Sequence, residues 1–495
     1  MATPRSTRNH KVLLLELNEI TWSIADRLIA EGKMPNLARM KREGAWGAPE
    51  ALEKPPHLDP WITWVTVHTG VERGVHGATV LEQDQATFGA KRSWEYAVEG
   101  GKSVGVFGSI GAFPPKKVPG FMVPGPFAPA SDTYPAYIAP VQALNRKYTQ
   151  VHHKNVAQDT PFAMAKLGVE LLRLGLRPST CIKIATQLAG EKLGKADHWR
   201  RVMLQPELNF DFFRALYRRY QPDFATWHTN HAAHFMHHYW RAWDDSSFPT
   251  KAGEEERRKF GGAVEAGYTL VDDLLGRFMA LCDDDTVLVV ASSMGQKPYF
   301  NVQFPDGKVC VKFKDVNQVL AIVGASGITG VAPAMDPQWN VRVPEAAERA
   351  RVKERLSNIR LEGGVTPRAM HVEETGEILT VSPAGLAKLG PQVRYFFPDC
   401  PGAKLEGYAF DELFREYGET HKEGMHDPRG MLLLLGPGIS RGVEIKDASN
   451  LDIAPTLLAL MGLPIPEVMT GRPLLEAWGE RSAPKQPISG PHPEA

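Results

Sequence analysis

Residues 286–291 form the clearest buried strand of the sequence, an apolar and β-branched run that ends in the polar pair Ser292-Ser293. Such a run with a polar exit is typical of a parallel strand that is covered on both faces. Residues 11–17 repeat the pattern, because they lead into Asn18-Glu19 and then into a helical spacing over 21–44. Strands that alternate with helices in this way predict an α/β protein with a mostly parallel central sheet sandwiched by helices.

The length of 495 residues exceeds that of one small domain. We expect one α/β domain over 11–476 that carries two insertions. The insertions or caps are 112–220, which is helical, and 297–423. The Pro-rich tail 482–495 is predicted to be disordered.

The sequence contains 57 Lys and Arg and 57 Asp and Glu, and this balance excludes a global attraction to polyanions. A local charged patch is compatible with it. No apolar run reaches the roughly 18 residues of a membrane span. The apolar run near the N-terminus is too short for a secretory signal, and few cysteines fit a reducing compartment. We therefore expect a cytoplasmic protein with no nucleic-acid partner and no membrane span. The sequence does not indicate its oligomeric state.

Histidines are densest in 228–238, which holds five of them. On a helix Asn230, His234, His237 and His238 fall near one face, and neutral imidazole is the commonest metal ligand. The alternative is a helix end whose histidines are capped or exposed. His426 precedes a strand and on its own is an ordinary loop histidine.

Two further segments combine polar residues with predicted element ends. Asp59 stands before a proline, where it is a candidate turn former, helix cap or functional carboxylate. Ser292 and Ser293 follow a strand, and ligands of parallel sheets bind beyond the carboxyl ends of strands. An ordinary turn is the other interpretation of the serine pair.

Taken in order, these segments resemble the alkaline-phosphatase superfamily, nearest its type I phosphodiesterase/nucleotide pyrophosphatase branch. The most specific match is C-terminal: Asp-Ile-Ala-Pro-Thr-Leu-Leu over 452–458, Gly-Leu-Pro over 462–464 and Gly-Arg-Pro-Leu over 471–474. The resemblance implies a central sheet with the site at the carboxyl ends of its strands. It covers the core segments 11–110, 222–296 and 424–476, and it does not extend to the two insertions.

The resemblance also implies a two-metal site for phosphoryl or sulfuryl transfer, and this sequence changes most of its ligands. Position by position, the first half-site has Asn230 for Asp and keeps His234 and His426, whereas the second has Asn18 for Asp, Ser292 for Asp and Ser293 for His. Neutral side chains therefore replace three carboxylates of the usual site. Two divalent ions held close together repel strongly without anionic ligands, so we expect one divalent ion, zinc or manganese, or none.

The resemblance leaves the nucleophile open, because its usual threonine falls at Asp59 or Pro60. Asp59 is a candidate metal ligand, general base or carboxylate nucleophile, and Glu19 on the loop after the first strand can replace a lost carboxylate. In a one-metal site His234, His426 and Asn230 bind the ion, and Asp59 or Glu19 completes the shell. In a metal-free site the histidines act as general acid and base, and Asn18, Ser292 and Ser293 hydrogen-bond an oxyanion.

The replacements are all polar, which favours a pocket that is still in use. The expected function is an enzyme that acts on a phosphate or sulfate ester of a small molecule or glycan, as a hydrolase or a derived transferase. The alternatives are an inactive binding or scaffold protein that keeps the fold, and a metal-independent enzyme on a glycan or small metabolite.

Overall fold

A computed structural model describes residues 9–55, 57–81, 83–150, 161–301, 305–307, 311–334, 337–361, 369–384, 393–416 and 421–479. The predicted disordered tail, 482–495, lies outside the described residues. Within these ranges no helix combines the length and the apolar composition that a bilayer crossing requires.

Strands and helices alternate along the N-terminal half, as predicted. The strands are β1 Lys11–Leu17, β2 Ala45–Gly47, β3 Val104–Phe107, β4 Gly120–Val123, β5 Phe224–Thr229, β6 Thr286–Ser292, β7 Gly295–Pro298, β8 Val311–Phe313, β9 Gly330–Pro333, β10 Trp339–Arg342, β11 Arg360–Leu361, β12 Met370–Thr375, β13 Ile378–Pro383, β14 Arg394–Phe396, β15 Tyr408–Ala409, β16 Phe414–Glu416, β17 Gly424–Asp427, β18 Met431–Leu435 and β19 Val443–Ile445. The helices are α1 Trp22–Ala30, α2 Pro35–Glu43, α3 Pro60–Thr69, α4 Arg73–His76, α5 Ser93–Glu99, α6 Ala139–Gln150, α7 Pro161–Arg173, α8 Pro178–Lys192, α9 Leu204–Tyr220, α10 His231–Trp243, α11 Glu254–Phe260, α12 Ala263–Met279, α13 Val316–Ile322, α14 Ala346–Ser357, α15 Phe410–Leu413 and α16 Ile453–Leu460.

The central sheet is eight-stranded, in the order β19-β2-β18-β6-β1-β5-β3-β4. Strand β1 pairs in parallel with β5 and β6, and β3 pairs in parallel with β5 and β4. Strand β18 runs antiparallel to both of its neighbours. The prediction of a mostly parallel central sheet is confirmed. Because β1, β5 and β6 end at the same edge, the polar residues that follow them come close together.

Helices cover both faces of the sheet. On one face Leu14 of β1, Val67 of α3 and Leu457 of α16 belong to one buried cluster. On the other face Trp227 of β5 lies 4.9 Å, centroid to centroid, from Phe278 of α12. The strands are therefore buried on both sides, which explains why their sequences are continuous apolar runs.

The helical spacing predicted over 21–44 divides into α1 and α2. Gly32 has a φ of 73° between them, and Pro35 occupies the first turn of α2. A left-handed residue ends a helix, and proline is tolerated only at the start of the next one. The sequence pattern did not separate the two helices, because both carry buried apolar residues at helical spacing.

The C-terminal motif is a set of mutual hydrogen bonds. Asp452 precedes α16, and its carboxylate accepts from the backbone N–H of Ser449 and of Arg472, each at 2.9 Å. Thr456 Oγ1 accepts from the backbone N–H of Leu474 at 3.0 Å. These contacts satisfy backbone donors that would otherwise be buried without partners, which accounts for the residue types at these positions.

The described chain divides into two compact units. The first comprises Met1–Met236, Gly253–Lys297 and Met425–Ala495, and the second comprises His237–Ala252 and Pro298–Gly424. Residues 112–220 belong to the first unit, while 237–252 belong to the second. The chain passes between the units within α10, where Tyr239 has a non-helical φ of −134°. The roles of 112–220 and 297–423 as caps stay predictions.

The second unit has its own sheets and core. Strands β12, β13, β10 and β9 form one sheet in that order, and β11, β14 and β15 form another. Leu379 and Val381 of β13 pack with Val352 and Leu356 of α14 in a single buried cluster.

Candidate functional site

The site begins where β1 ends. Asn18 is almost fully buried, and its backbone N–H donates to the carbonyl oxygen of Thr229 at 3.0 Å. Glu19 follows with a φ of 59°, a left-handed conformation that is strained for a residue with a side chain. The turn directs the Glu19 carboxylate into the first unit, where it is 1% exposed. A buried carboxylate on a strained backbone is a frequent sign of a functional position.

The side-chain amide of Asn18 lies at the centre of a hydrogen-bond network. Trp64 Nε1 donates to Asn18 Oδ1 at 2.7 Å. Asn18 Nδ2 in turn donates to Glu19 Oε1 at 2.8 Å and to Asn230 Oδ1 at 2.6 Å. The structure therefore brings Asn18, Glu19 and Asn230 together, from the ends of β1 and β5.

The second oxygen of Glu19 faces two other elements. Gln296 Nε2 donates to Glu19 Oε2 at 2.5 Å, and it also donates to the carbonyl oxygen of Ala233 at 3.1 Å. His426 Nε2 lies 3.6 Å from Glu19 Oε2. Gln296 was missed by sequence reasoning. The sequence feature that could have indicated Gln296 is its position three residues after Ser293.

His426 has a defined tautomer at Nδ1. This atom lies 2.6 Å from the carbonyl oxygen of Leu58, which can only accept, so Nδ1 carries a proton. Nε2, the other ring nitrogen, faces Glu19 and carries a lone pair whenever the ring is neutral. Asp59 Oδ1 lies 3.6 Å from Nδ1 and thus approaches the opposite side of the ring.

Asp59 is the residue that precedes α3, and its carbonyl oxygen accepts from the backbone N–H groups of Ile62 and Thr63 at 3.0 and 2.9 Å. Its side chain is 25% exposed, whereas Thr63, one turn later, is fully buried. Asp59 therefore lies at the positive end of a ten-residue helix, where backbone N–H groups favour anionic ligands.

The serine pair is buried at the exit of β6, and Ser293 contacts the first turn of α3. Ser292 Oγ donates to the carbonyl oxygen of Met294 at 2.6 Å, so its proton is used within its own turn. Ser293 Oγ accepts from Thr63 Oγ1 at 2.8 Å. Both serines are 0% exposed. Ser293 is thus connected to the start of α3, while Ser292 completes the exit of β6.

The histidine-rich segment separates into residues of different roles. His231 is buried between Thr229 Oγ1, at 2.9 Å, and the carbonyl oxygen of Gly267, at 3.1 Å. Burial lowers the pKa of His231 to about 4. His234 is half-buried, one helical turn after Asn230, to whose carbonyl oxygen its backbone N–H donates at 3.1 Å. His231 is therefore a buried histidine whose ring nitrogens have partners within the fold, while the metal-binding role of His234 stays a prediction.

A second polar cluster, also missed from the sequence, lies under the site. Glu16 Oε2 is 3.2 Å from His228 Nδ1, Glu16 Oε1 is 3.5 Å from His68 Nε2, and Ser109 Oγ donates to Glu16 Oε1 at 2.7 Å. Burial raises the pKa of the Glu16 carboxyl, but the two histidines outweigh it and hold the pKa at about 2. A glutamate inside an apolar strand was the signal, since buried charges require partners.

Comparison with known proteins gives the family. The sequence profile described as type I phosphodiesterase / nucleotide pyrophosphatase matches residues 12–381. Arylsulfatase K of Homo sapiens is 32% identical over 85 residues, 17% of this chain and 16% of that protein. The 2,3-bisphosphoglycerate-independent phosphoglycerate mutase of Cereibacter sphaeroides is 45% identical over 62 residues, 12% of this chain and 12% of that protein. These curated relatives are thus matched over a small part of their length.

Solved structures align along nearly the whole chain. An alkaline phosphatase PafA mutant aligns with a TM-score of 0.48 and 16% identity, over 97% of this chain and 100% of that chain. Human ectonucleotide pyrophosphatase / phosphodiesterase 5 aligns with a TM-score of 0.43 and 11% identity, over 92% and 96%. Since the family profile covers most of the sequence, the protein belongs to the type I phosphodiesterase / nucleotide pyrophosphatase family of the alkaline-phosphatase superfamily.

Proposed function

We propose that the protein is an enzyme acting on a phosphate or sulfate ester of a small molecule or glycan, as a hydrolase or a derived transferase, with at most one divalent ion. The observation that carries this proposal is the position of the Asn18 amide. It donates to Glu19 Oε1 and Asn230 Oδ1, two oxygens that a cation would otherwise hold together.

The orientation of that amide follows from its partners. An indole N–H can only donate, so the Asn18 atom that faces Trp64 is the oxygen. The two hydrogens of Asn18 Nδ2 then point at oxygens of Glu19 and Asn230. The amide NH2 group of Asn18 therefore places partial positive charge between these two oxygens. This arrangement supports the absence of a second metal ion there.

The spacing of Glu19 and His426 is compatible with one ion bound between them. A cation bound by a nitrogen and an oxygen at about 2.1 Å each, in tetrahedral geometry, separates them by about 3.4 Å. His426 Nε2 and Glu19 Oε2 are 3.6 Å apart, and Nδ1 of the same ring is oriented by the Leu58 carbonyl oxygen. Such outer hydrogen bonds are usual for metal-binding histidines. Glu19, His426, His234 and Asn230 are the ligands that we propose.

The chemistry that an ion supplies at this position is polarisation of an ester oxygen and stabilisation of developing negative charge. Asp59 is the accessible carboxylate at the start of α3, with Ser293 and Thr63 buried behind it. We assign to Asp59 the role of general base or nucleophile, and to the α3 N-terminus the binding of the anionic group. Glu19 approaches Nε2 of His426, whereas Asp59 approaches Nδ1, which favours Glu19 rather than Asp59 as the ligand.

Elemental analysis of the purified protein tests the proposal. We expect at most one zinc or manganese ion per chain, lost in His426→Ala and in His234→Ala. The exposed His198, replaced by alanine, is the matched control and should leave the metal content unchanged. Two tightly bound ions per chain would contradict the assignment of Asn18.

A substrate panel tests the activity itself. Aryl phosphates, phosphodiesters and sulfate esters should include at least one substrate, and Asp59→Asn should lower kcat by at least about 100-fold. A wild-type protein that is folded but inactive on all three classes would instead support a binding or scaffold role.

The cytoplasmic location stays a prediction.

A further inference from the structure

Helix α8 exposes its large apolar side chains. Thr180 is the fully buried residue of this fifteen-residue helix. Ile182 and Leu188 are 65% and 39% exposed, and Leu193, directly after the helix, is 68% exposed. A surface helix of a globular protein normally directs such residues towards the core.

The inner side of α8 is held by polar contacts. Glu191 lies 2.6 Å from Arg201, and Gln187 Nε2 donates to the carbonyl oxygen of Asp197 at 2.8 Å. Lys183 forms an ion pair with the buried Glu207 of α9. The exposed apolar side chains are therefore not needed to attach the helix to the first unit.

The apolar residues form a stripe along the helix. Ile182, Ala185, Ala189 and Leu193 stand at i, i+3, i+7 and i+11, which places them on one face at 100° per residue. Lys192 lies beside this stripe, and Lys195 follows two residues after Leu193. We call these four apolar residues the α8 stripe. Lysines beside an apolar stripe can bury their stems and extend their charges.

Charge around the stripe is asymmetric. The chain as a whole is neutral, but residues 167–195 contain five cationic and two anionic side chains. Arg177 and Lys183 are paired with Asp211 and Glu207 of α9, so the positive charge near the stripe comes from the other three cations: Arg173, Lys192 and Lys195. The preceding helix, α7, contributes Val169 and Leu172, which are 50% and 47% exposed. Exposed apolar residues and local positive charge thus coincide on one short segment, a local patch that the overall charge balance conceals.

We propose that the α8 stripe docks on the surface of an anionic lipid bilayer. A helix with an apolar face flanked by lysines matches the two parts of a membrane interface, the acyl boundary and the charged headgroups. Each lysine near an anionic surface strengthens binding about fivefold. The positive charge favours this surface over a second copy of the chain, which would bring the same charge to the contact. The inference is independent of the ester chemistry proposed above.

Flotation of the full chain with vesicles tests the docking. Binding is expected with vesicles of phosphatidylcholine and phosphatidylglycerol, but not with phosphatidylcholine alone, and it should weaken as salt is added. Ile182→Glu combined with Leu193→Glu should lower the partition coefficient by at least about tenfold. Leu405→Glu is the matched control, because Leu405 is an apolar residue that is 100% exposed in the second unit.

A second pair of substitutions keeps every apolar side chain. Lys192→Glu with Lys195→Glu should also lower binding to the anionic vesicles about tenfold or more. No binding to these vesicles, or equal binding by wild type and both double variants, would overturn the proposal. So would a dimer in light scattering that Ile182→Glu converts to a monomer, since the stripe would then be covered by a second copy. Circular dichroism should show the wild-type helix content in all variants.

Discussion

Trp64 Nε1 donates a 2.7 Å hydrogen bond to Asn18 Oδ1, and this contact determines which way the Asn18 amide faces. The side chains of Trp64 and Asn18 are both buried, so neither has water as an alternative partner. A carboxylate at position 18 could keep this bond through one oxygen. Its other oxygen would then face Glu19 Oε1 and Asn230 Oδ1, which are both acceptors.

The first prediction concerns Asn18→Asp. With a chelator present, the variant should lose about 1–3 kcal/mol of unfolding free energy, because buried acceptors would face each other without a donor. With excess manganese or zinc it should regain stability and bind more metal than the wild type. Thermal unfolding and elemental analysis with and without chelator measure both effects. Asn317→Asp, on the surface, should show neither.

Trp64→Phe tests the hydrogen bond directly. The change should lower the unfolding free energy by about 1–2 kcal/mol more than Trp94→Phe does. Trp94 is equally buried, but its Nε1 has no hydrogen-bond partner, so the same truncation there removes no bond. Equal unfolding free energies for the two variants, measured in urea, would show that the Trp64 bond does not orient Asn18.

Two substitutions at position 19 distinguish the effect of backbone strain from the function of the Glu19 side chain. Glycine adopts a φ of 59° without strain, whereas alanine does not. Glu19→Gly should therefore be about 1 kcal/mol more stable than Glu19→Ala. Both should lose metal binding and activity alike, because both lack the carboxylate. If alanine were as stable as glycine at this position, the strain argument would fail.

His76 predicts a pH dependence of stability. Burial, with a smaller effect of Arg73, lowers the His76 pKa from 6.5 to about 4. Its Nδ1 accepts from the backbone N–H of Ala78 at 3.0 Å, and Nε2 lies 3.0 Å from Thr66 Oγ1. The unfolded state thus binds the proton more readily. This contribution to stability is present above pH 6.5 and is lost as the pH falls towards 4.

The size of that loss is about 3 kcal/mol, from 1.36 kcal/mol per pKa unit. His76→Gln should flatten the pH dependence of unfolding between pH 6.5 and 4, whatever its effect at pH 8. His198→Gln, at an exposed position, should leave the slope as in the wild type. Denaturant unfolding at several pH values measures both slopes.

Local patterns were enough for the buried strands β1 and β6 and for the order of the polar segments along the chain, whereas the helix after Asp59 was not predicted. Apolar runs of β1 and β6 are covered on both faces, so burial appears in the sequence without knowledge of the neighbours. Because parallel strands align their carboxyl ends, the sequence alone is enough to assign Asn18, Asn230 and Ser292 to one edge of the sheet.

The sequence by itself therefore determined the α/β class, the family resemblance and the edge of the sheet that carries the candidate site. Only the tertiary structure decided how the side chains there are paired. Gln296 and Glu19 are 277 positions apart, and Trp64 and Asn18 are 46 apart. Whether such remote residues form a hydrogen bond depends on the distance between their atoms to within a few tenths of an ångström. A pattern along one chain does not encode distances of that kind, whereas burial periodicity is a local property that it does encode.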